Sequence, residues 1–183
     1  MTVTPDLDAR FRAAALAEGL ADVRYDVVDS PVGRLHVAAT DRGLCRISYF
    51  GDAWEEDLAR RFGVRVLRAP LDEVRRERDE YFAGARRAFD LPLDLRVAPF
   101  PAAVLRELAG VPYGRTETYG ALAARAGRPG AARAVGTVMN RNPIPIVLPC
   151  HRIVGANGAL TGYAGGLDVK RHLLQLEGAT LTA

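Results

Sequence analysis

The chain has few cysteines and no long apolar run. Cys45 and Cys150 are its only two cysteines, too few for a disulfide scaffold, so a free thiol in a reducing compartment is expected. No apolar run approaches the ~18 residues of a membrane-spanning helix, so no membrane partner is expected. Residues 1–8 lack the basic and apolar regions of a secretory signal. The sequence therefore predicts a cytoplasmic protein.

Composition and charge point to a globular chain with a basic second half. The 183 residues suffice for one sizeable core or two small domains. From Arg96 onward the chain has ten basic and four acidic side chains, a net charge of +6, whereas residues 1–95 carry −3. A basic half is typical of proteins with a polyanionic partner, although a solvated basic surface is an equally simple interpretation of the charge alone.

The most distinctive stretch is Leu-Pro-Cys-His-Arg-Ile-Val at residues 148–154. It places the thiol of Cys150 beside the imidazole of His151, directly after Pro149. A thiol is a strong nucleophile only as the thiolate, which a nearby base or positive dipole favours. Cys150 is thus a candidate nucleophile, with a buried structural cysteine as the alternative. Cys45 shares one face of a predicted strand with Ile47, which favours a packed core residue.

Apolar periodicity and turn signals predict an α/β half followed by a mostly helical half. A proline-rich linker near residues 94–99 separates a domain at residues 1–95, with a helical extension at residues 1–22, from a domain at residues 96–183. In the first half, helices are predicted at residues 4–19, 54–62 and 71–82, a hairpin or meander at 24–50 and a last strand at 89–93. In the second half, helices are predicted at residues 101–109, 119–126, 131–141 and 168–177.

Two of these helices form a candidate helix-turn-helix. The first is capped by Thr118, and the residues 127–130 make a tight glycine-containing connection to the second. The second helix carries small side chains where a major-groove helix would carry long polar ones, which favours close approach to a DNA backbone or the minor groove. A packing helix, held by Val135 and Val138, is the alternative.

Taken together, these residues resemble the O6-alkylguanine-DNA alkyltransferases, the methylated-DNA–protein-cysteine methyltransferases. The resemblance is dense from residue 100 to residue 178 and weaker over residues 25–50. The matching pieces, in the order and spacing of the family, are Tyr119, Arg-Ala-Val-Gly at 133–136, Asn-Pro at 142–143, Pro-Cys-His-Arg at 149–152, Gly-Tyr-Ala-Gly-Gly at 162–166, and Leu-Leu through Glu-Gly at 173–178.

The resemblance implies an α/β N-terminal domain of ribonuclease-H-like topology, with an antiparallel hairpin plus helices. It also implies a mostly α C-terminal winged helix-turn-helix domain. The implied activity is direct-reversal repair: the protein flips O6-alkylguanine, mainly O6-methylguanine and in some cases O4-methylthymine, out of double-stranded DNA. The alkyl group then moves irreversibly to cysteine, once per molecule. No cofactor and no metal is implied, and a monomer able to bind DNA cooperatively is expected.

The resemblance also assigns roles. Cys150 accepts the alkyl group, His151 generates its thiolate through a water, Glu177 orients His151, and Asn142 holds the turn that leads to Cys150. If residues 150 and 151 lie on a strand, their side chains point to opposite faces, which is why the water is needed.

Arg133 enters the base stack in place of the flipped nucleotide, and Tyr119 acts at its phosphate and at the guanine edge. The main-chain N–H of Ala164 donates to the guanine oxygen. The implied DNA-binding residues are Tyr119, Ala132, Arg133, Ala134, Gly136, Thr137 and Arg141. The implied pocket residues are Tyr119, Met139, Cys150, Ile153, Tyr163, Ala164 and Gly165.

The chain departs from the family in a few places, and other functions remain open. Thr137 and Met139 are bulkier than the residues common there, and the zinc-binding residues of some relatives are missing. One alternative function is a non-catalytic recognition protein like the alkyltransferase-like members, which lack the cysteine. Another is a cysteine hydrolase that uses Cys150, His151 and Glu177, which an adjacent nucleophile and base make a poor design.

Overall fold

The N-terminal half is a mixed sheet with helices, seen here in a computed structural model that describes residues 5–51 and 53–180. Thr4, the predicted first residue of the first helix, lies outside the described residues. The elements of this half are α1 (Pro5–Ala17), β1 (Val23–Val28), β2 (Leu35–Thr40), β3 (Gly43–Ser48), α2 (Trp54–Phe62), β4 (Val66–Arg68) and α3 (Asp72–Phe82).

The strands lie in the order β3-β2-β1-β4. The three long strands form the predicted antiparallel meander, and β4 runs parallel to β1. Val37 and Ile47 are buried in the larger core, while Ala38 and Cys45 pack on the other face against α2. The prediction that Cys45 and Ile47 share a face is wrong, because a β-bulge at Cys45, seen as a register shift between Ala38 and Ala39, reverses the alternation of β3. Cys45 is nevertheless a packed core residue, as predicted. Burial raises the pKa of its thiol to about 12, which makes it unreactive.

Two further predictions for this half need correction. The strand expected at residues 89–93 is wrong, because only Leu93 forms a bridge, to Leu44. Pro92 has no N–H to donate, and the backbone contact with β3 is limited to two bonds at Leu44, whose N–H donates to Pro92 O at 2.8 Å and whose carbonyl accepts from the N–H of Asp94 at 2.9 Å. Conversely, β4 was not predicted, since three residues are too short to show alternation.

The C-terminal half is mostly helical, as expected. Thr118 is the predicted N-cap of α5, and its Oγ1 accepts from the N–H of Ala121 at 3.2 Å. The first helix of this half begins at Pro99, two residues before the predicted start, because proline is tolerated in the first turn of a helix. The elements are α4 (Pro99–Ala109), β5 (Glu117–Thr118), α5 (Tyr119–Arg125), α6 (Ala132–Asn140), a 3₁₀ turn (Cys150–Arg152), β6 (Ile153–Val154) and α7 (Leu167–Leu176).

The two halves share one core. The larger buried cluster joins Val37 and Tyr81 of the first half to Leu122, Val135 and Leu173 of the second. Side chains of the α/β half can therefore contact a functional site in the helical half. Within the described ranges, no helix has the length and apolar character needed to cross a membrane.

Gly43 lies very close to the backbone at Pro92, and this close approach predicts how the protein responds to its substitution. Its φ is +131°, and a Cβ there would lie 2.2 Å from the carbonyl oxygen of Pro92. Gly33 also has a positive φ, +100°, but a Cβ there would meet nothing within 4 Å. We expect Gly43→Ala to lower the free energy of unfolding in urea by about 1–3 kcal/mol more than Gly33→Ala, because only the first adds overpacking to backbone strain. Equal losses would contradict the close approach.

Candidate active site and nucleic-acid interface

Cys150 begins a 3₁₀ turn and is buried. The N–H of Cys150 donates to Leu148 O at 2.8 Å, and the N–H of Arg152 donates to Pro149 O at 2.9 Å. The strand interpretation of residues 150 and 151 is therefore wrong: the chain coils here after Pro149 instead of extending. No hydrogen bond joins the Cys150 and His151 side chains, both of which the structure describes.

His151 is paired with Glu177 inside the protein. His151 Nε2 lies 2.9 Å from Glu177 Oε1, and neither side chain is exposed. Burial lowers the pKa of His151 more than the carboxylate raises it. We therefore assign a neutral imidazole whose Nε2–H donates to Glu177. The other ring nitrogen, Nδ1, is buried without a hydrogen-bond partner among the described residues. It is the atom that is free to accept a proton.

Glu177 is held by more than His151. Arg152 donates to both carboxylate oxygens, from Nε and Nη2, each at 2.9 Å. The hydroxyl of Tyr81 donates to Oε1 at 2.6 Å, and the N–H of Gly114 donates to Oε2 at 3.1 Å. Burial would raise the pKa of Glu177, but the bonds from His151, Arg152 and Tyr81 lower it well below its ordinary value. Glu177 is therefore ionised, and its charge is balanced by Arg152.

The thiol of Cys150 has its own surroundings. Burial raises its pKa to about 11, although the Asn142 amide, the Lys170 ammonium and the main-chain N–H groups of residues 150 and 151 act to lower it. These four groups are the ones that would stabilise a thiolate. The same Asn142 fixes the approach to Cys150: its Nδ2 donates to Leu148 O at 2.8 Å, and its Oδ1 accepts from the N–H of Ile144 at 3.1 Å.

Lys170, the only lysine of the sequence, is a residue that sequence reasoning missed. It is fully buried, and its Nζ donates to the carbonyl oxygens of Ile153 and Thr161. Burial lowers the pKa of Lys170 to about 8, with the Cys150 thiolate acting in the opposite direction. Lys170 therefore ties the chain after Cys150 to the glycine-rich loop at residues 162–166 and brings a positive charge near the sulfur.

The N-terminal half contributes a wall to that loop. Tyr49 and Tyr163 share a hydrogen bond of 2.7 Å between their hydroxyls, and a Cβ on Gly165 would lie 2.9 Å from the Tyr49 ring. Ala164 is exposed at the edge of the loop. Tyr119 reaches the same region, since its hydroxyl accepts from Thr161 Oγ1 at 2.9 Å. The remaining predicted pocket residues, Met139 and Ile153, are buried beneath.

Helix α6 has one buried face and one exposed face. Val135, Val138 and Met139 enter the core, so the packing interpretation of this helix is correct for that face. The outer face carries small residues between two arginines, neither of which pairs with a described side chain. The exposed predicted DNA-binding residues are Arg133, Ala134, Thr137 and Arg141, while Ala132, Gly136 and Tyr119 are half-buried.

Sequence reasoning brought together Cys150, His151 and Glu177 but missed Tyr49, Tyr81, Arg152 and Lys170 as parts of the site. Tyr81 stands at helical spacing with Leu71 and Val74, a pattern that indicates core packing and carries no sign of a polar partner. Within the described ranges, no group of three or more His, Cys, Asp or Glu side chains could hold a metal ion.

Known proteins are similar to this chain over most of its length. A methylated-DNA–protein-cysteine methyltransferase of Mycolicibacterium paratuberculosis is 45% identical over 159 residues, which cover 85% of this chain and 92% of the relative. A protein of the same name from Methanosarcina acetivorans is 40% identical over 163 residues, covering 85% and 98%. The crystal structure of Mycobacterium tuberculosis OGT in complex with DNA matches with a TM-score of 0.76 at 39% identity, covering 85% of this chain and 92% of that one.

A sheet-containing half packs on a helix-turn-helix half, and a buried cysteine lies beside a His-Glu-Arg network. These features define the class of protein: a two-domain protein with a buried thiol in its helical half. The ribonuclease-like domain of 6-O-methylguanine DNA methyltransferase matches residues 23–95, and the DNA binding domain of the same family matches residues 99–179. The chain belongs to the 6-O-methylguanine DNA methyltransferase family.

The bond from Tyr81 to Glu177 can be tested by removing one hydroxyl. Tyr81→Phe leaves the buried carboxylate short of a donor, and hydrogen bonds to charged groups contribute about 1.5–3 kcal/mol. The matched control is Tyr113→Phe, because that hydroxyl donates to a neutral acceptor nearby, Leu176 O, at 3.2 Å. We expect the larger loss of unfolding free energy in urea for Tyr81→Phe. A larger loss for Tyr113→Phe would argue against a charged acceptor at Tyr81.

Proposed function

We propose that this protein is a single-turnover DNA repair methyltransferase that moves the methyl group of O6-methylguanine in duplex DNA onto Cys150. The observation that carries the proposal is the pair of hydrogen bonds made by Asn142. The bond to Leu148 O links Asn142, just after α6, whose outer face suits DNA, to the segment that leads into the buried thiol two residues later, and the bond from the N–H of Ile144 holds the local turn between them. The nucleic-acid surface and the acceptor are thus one rigid unit.

The residues of the site can carry the transfer without a cofactor. His151 Nδ1 takes the thiol proton through a bridging water, and Glu177 and Arg152 hold the ring in place as its charge changes. The thiolate attacks the methyl carbon, so that an S–C bond forms and the C–O6 bond breaks. The electron pair stays on the guanine oxygen, where the N–H of Ala164 donates, and the proton taken from Cys150 neutralises the guanine. The thioether is stable, so each molecule reacts once.

Access to the base requires that the nucleotide leave the stack, because the thiol is buried. The small outer residues of α6 allow close approach in the minor groove, and the exposed guanidinium of Arg133 can stack and donate hydrogen bonds in the vacated space. Flipping costs a few kcal/mol and least at a weakly paired base, which favours damaged guanine and, by the same logic, O4-methylthymine. We expect a monomer on short DNA and cooperative binding on longer DNA.

The alternative functions find less support. A non-catalytic recognition protein has no use for a thiol at position 150, set among four groups that would stabilise a thiolate. A cysteine hydrolase needs its base in hydrogen-bond contact with the nucleophile, and His151 makes no such bond to Cys150.

The acceptor role predicts one covalent change. Incubation with a duplex that contains O6-methylguanine should raise the intact mass by one methylene group, in at most one equivalent of protein. Cys150→Ala should show no gain, whereas Cys45→Ala should behave as wild type because that thiol is packed under the sheet. An unmodified protein that still binds the damaged duplex would instead favour the recognition function.

The role of Arg133 predicts a loss confined to duplex DNA. Arg133→Ala should slow methyl transfer from duplex DNA roughly tenfold or more, equivalent to about 1.4 kcal/mol, because the flipped state loses its filler. Reaction with free O6-benzylguanine, which needs no flipping, should change little. Arg106→Ala is the control: it removes the same charge from an exposed position on α4. Equal losses on duplex DNA and free base would show that Arg133 acts on the chemistry or the fold.

A further inference from the structure

A cleft between the two halves is lined by arginines and, among the residues that the structure describes, by no acidic side chain. It encloses about 580 Å³, and its charged residues are Arg46, Arg61 and Arg141. A smaller adjoining cavity of about 130 Å³ shares these three and adds Arg96. The four residues, called here the arginine cleft, come from β3, α2, the linker and the end of α6. They converge from both halves of the chain.

The arginine cleft retains positive charge after its internal ion pairs are counted. Asp57 lies outside the cleft lining and accepts from Arg61 at 2.8 Å and pairs with Arg46 at 3.3 Å. Asp94 pairs with Arg96 at 3.0 Å. Arg141 has no ion pair with a described residue, and its side chain is exposed. Two carboxylates therefore face four guanidinium groups, and those carboxylates hold the arginines in place.

The position of the cleft selects its ligand. The C-terminal part of α6 forms one wall through Thr137, Asn140 and Arg141, and Ala164 of the glycine-rich loop lies at its edge. The cleft is thus continuous with the helix face and the loop that the proposed function assigns to DNA. Arg46 and Arg61 remain partly exposed, with 28% and 50% of their side chains accessible. Their N–H groups can reach an anion that enters from that side.

We propose that the arginine cleft binds the phosphodiester backbone of the DNA that α6 engages, so that the N-terminal half is part of the DNA interface. The inference rests on the proposed function, since it requires α6 to face DNA. Planar guanidinium groups suit phosphate because they donate two parallel hydrogen bonds. The cleft contacts phosphates of the duplex on one side of the flipped nucleotide. It contributes nothing to the chemistry at Cys150.

The experiment compares two neighbouring arginines on α2. Arg61→Gln removes a charge that lines the cleft. Arg60→Gln is the matched control, because Arg60 shares the partner Asp57, at 2.7 Å, and lines a different cavity. Asp57 keeps a partner in either variant, so both should fold. Binding to an undamaged duplex is measured over a series of salt concentrations, together with the rate of reaction with free O6-benzylguanine.

We expect Arg61→Gln to weaken DNA binding severalfold and to reduce the slope of log K against log salt by about 0.9, the value for one lost phosphate contact. Arg60→Gln should keep the wild-type slope, and both variants should react with free O6-benzylguanine at the wild-type rate. Identical slopes for wild type and both variants would overturn the proposal, even where wild type accepts the methyl group normally. Failure of the proposed function shows separately, as a wild-type protein that is never methylated.

Two further outcomes would also overturn the proposal. If Arg61→Gln changed only the cooperativity on long DNA, with an unchanged salt slope, the face would be a contact between neighbouring copies. If inorganic phosphate occupied the cleft, detected by chemical shifts of the arginine side chains, and left DNA affinity unchanged, the cleft would be a site for a free anion.

Discussion

The buried carboxylate of Glu177 is the interaction on which the rest of the site depends. An ionised carboxylate away from water is strongly unfavourable unless donors replace its hydration. Here the donors are Tyr81 from α3, Gly114 from the loop after α4, and His151 and Arg152 from the 3₁₀ turn. None of these segments can satisfy the charge alone. Because Tyr81 belongs to the N-terminal half and His151 to the C-terminal half, the packing of the two halves and the orientation of His151 depend on the same carboxylate.

The same arrangement gives the N-terminal half a structural role in the site. Tyr81 completes the shell of Glu177, and Tyr49 supports the glycine-rich loop through Tyr163. Burial, and to a smaller extent the positive charge of Arg152, lowers the pKa of His151, so in the resting state the ring stays neutral and Nδ1 keeps its lone pair. The hydrogen bond to Glu177 positions this base at rest and becomes an ion pair when the ring takes up a proton. Glu177 can then stabilise the imidazolium without any movement of the fold.

Local signals in the sequence predicted most helices, whereas contacts between residues distant in the sequence could not be predicted from it. Trp54–Phe62 matches its predicted helix. The N-cap Thr118 was predictable because its hydroxyl accepts from the N–H of Ala121, only three residues later in the chain. Tyr81 and Glu177 are 96 residues apart, and nothing in either neighbourhood marks them as partners. Glu177 was assigned by family resemblance alone. The 3₁₀ turn at Cys150 has no local signal of this kind, so the sequence did not predict it.

The net positive charge of the second half correctly indicated a basic surface, whereas the net negative charge of the first half did not reveal the arginines on its surface. Residues 1–95 sum to −3, yet this half directs Arg46 and Arg61 towards α6. Asp57, which accounts for part of the negative sum, lies behind these arginines and pairs with them. A carboxylate placed in this way subtracts from the total charge but fixes the guanidinium groups that face outward, and so lowers the entropy lost when they bind phosphate. What a partner meets is the charge on one face, which only the fold determines.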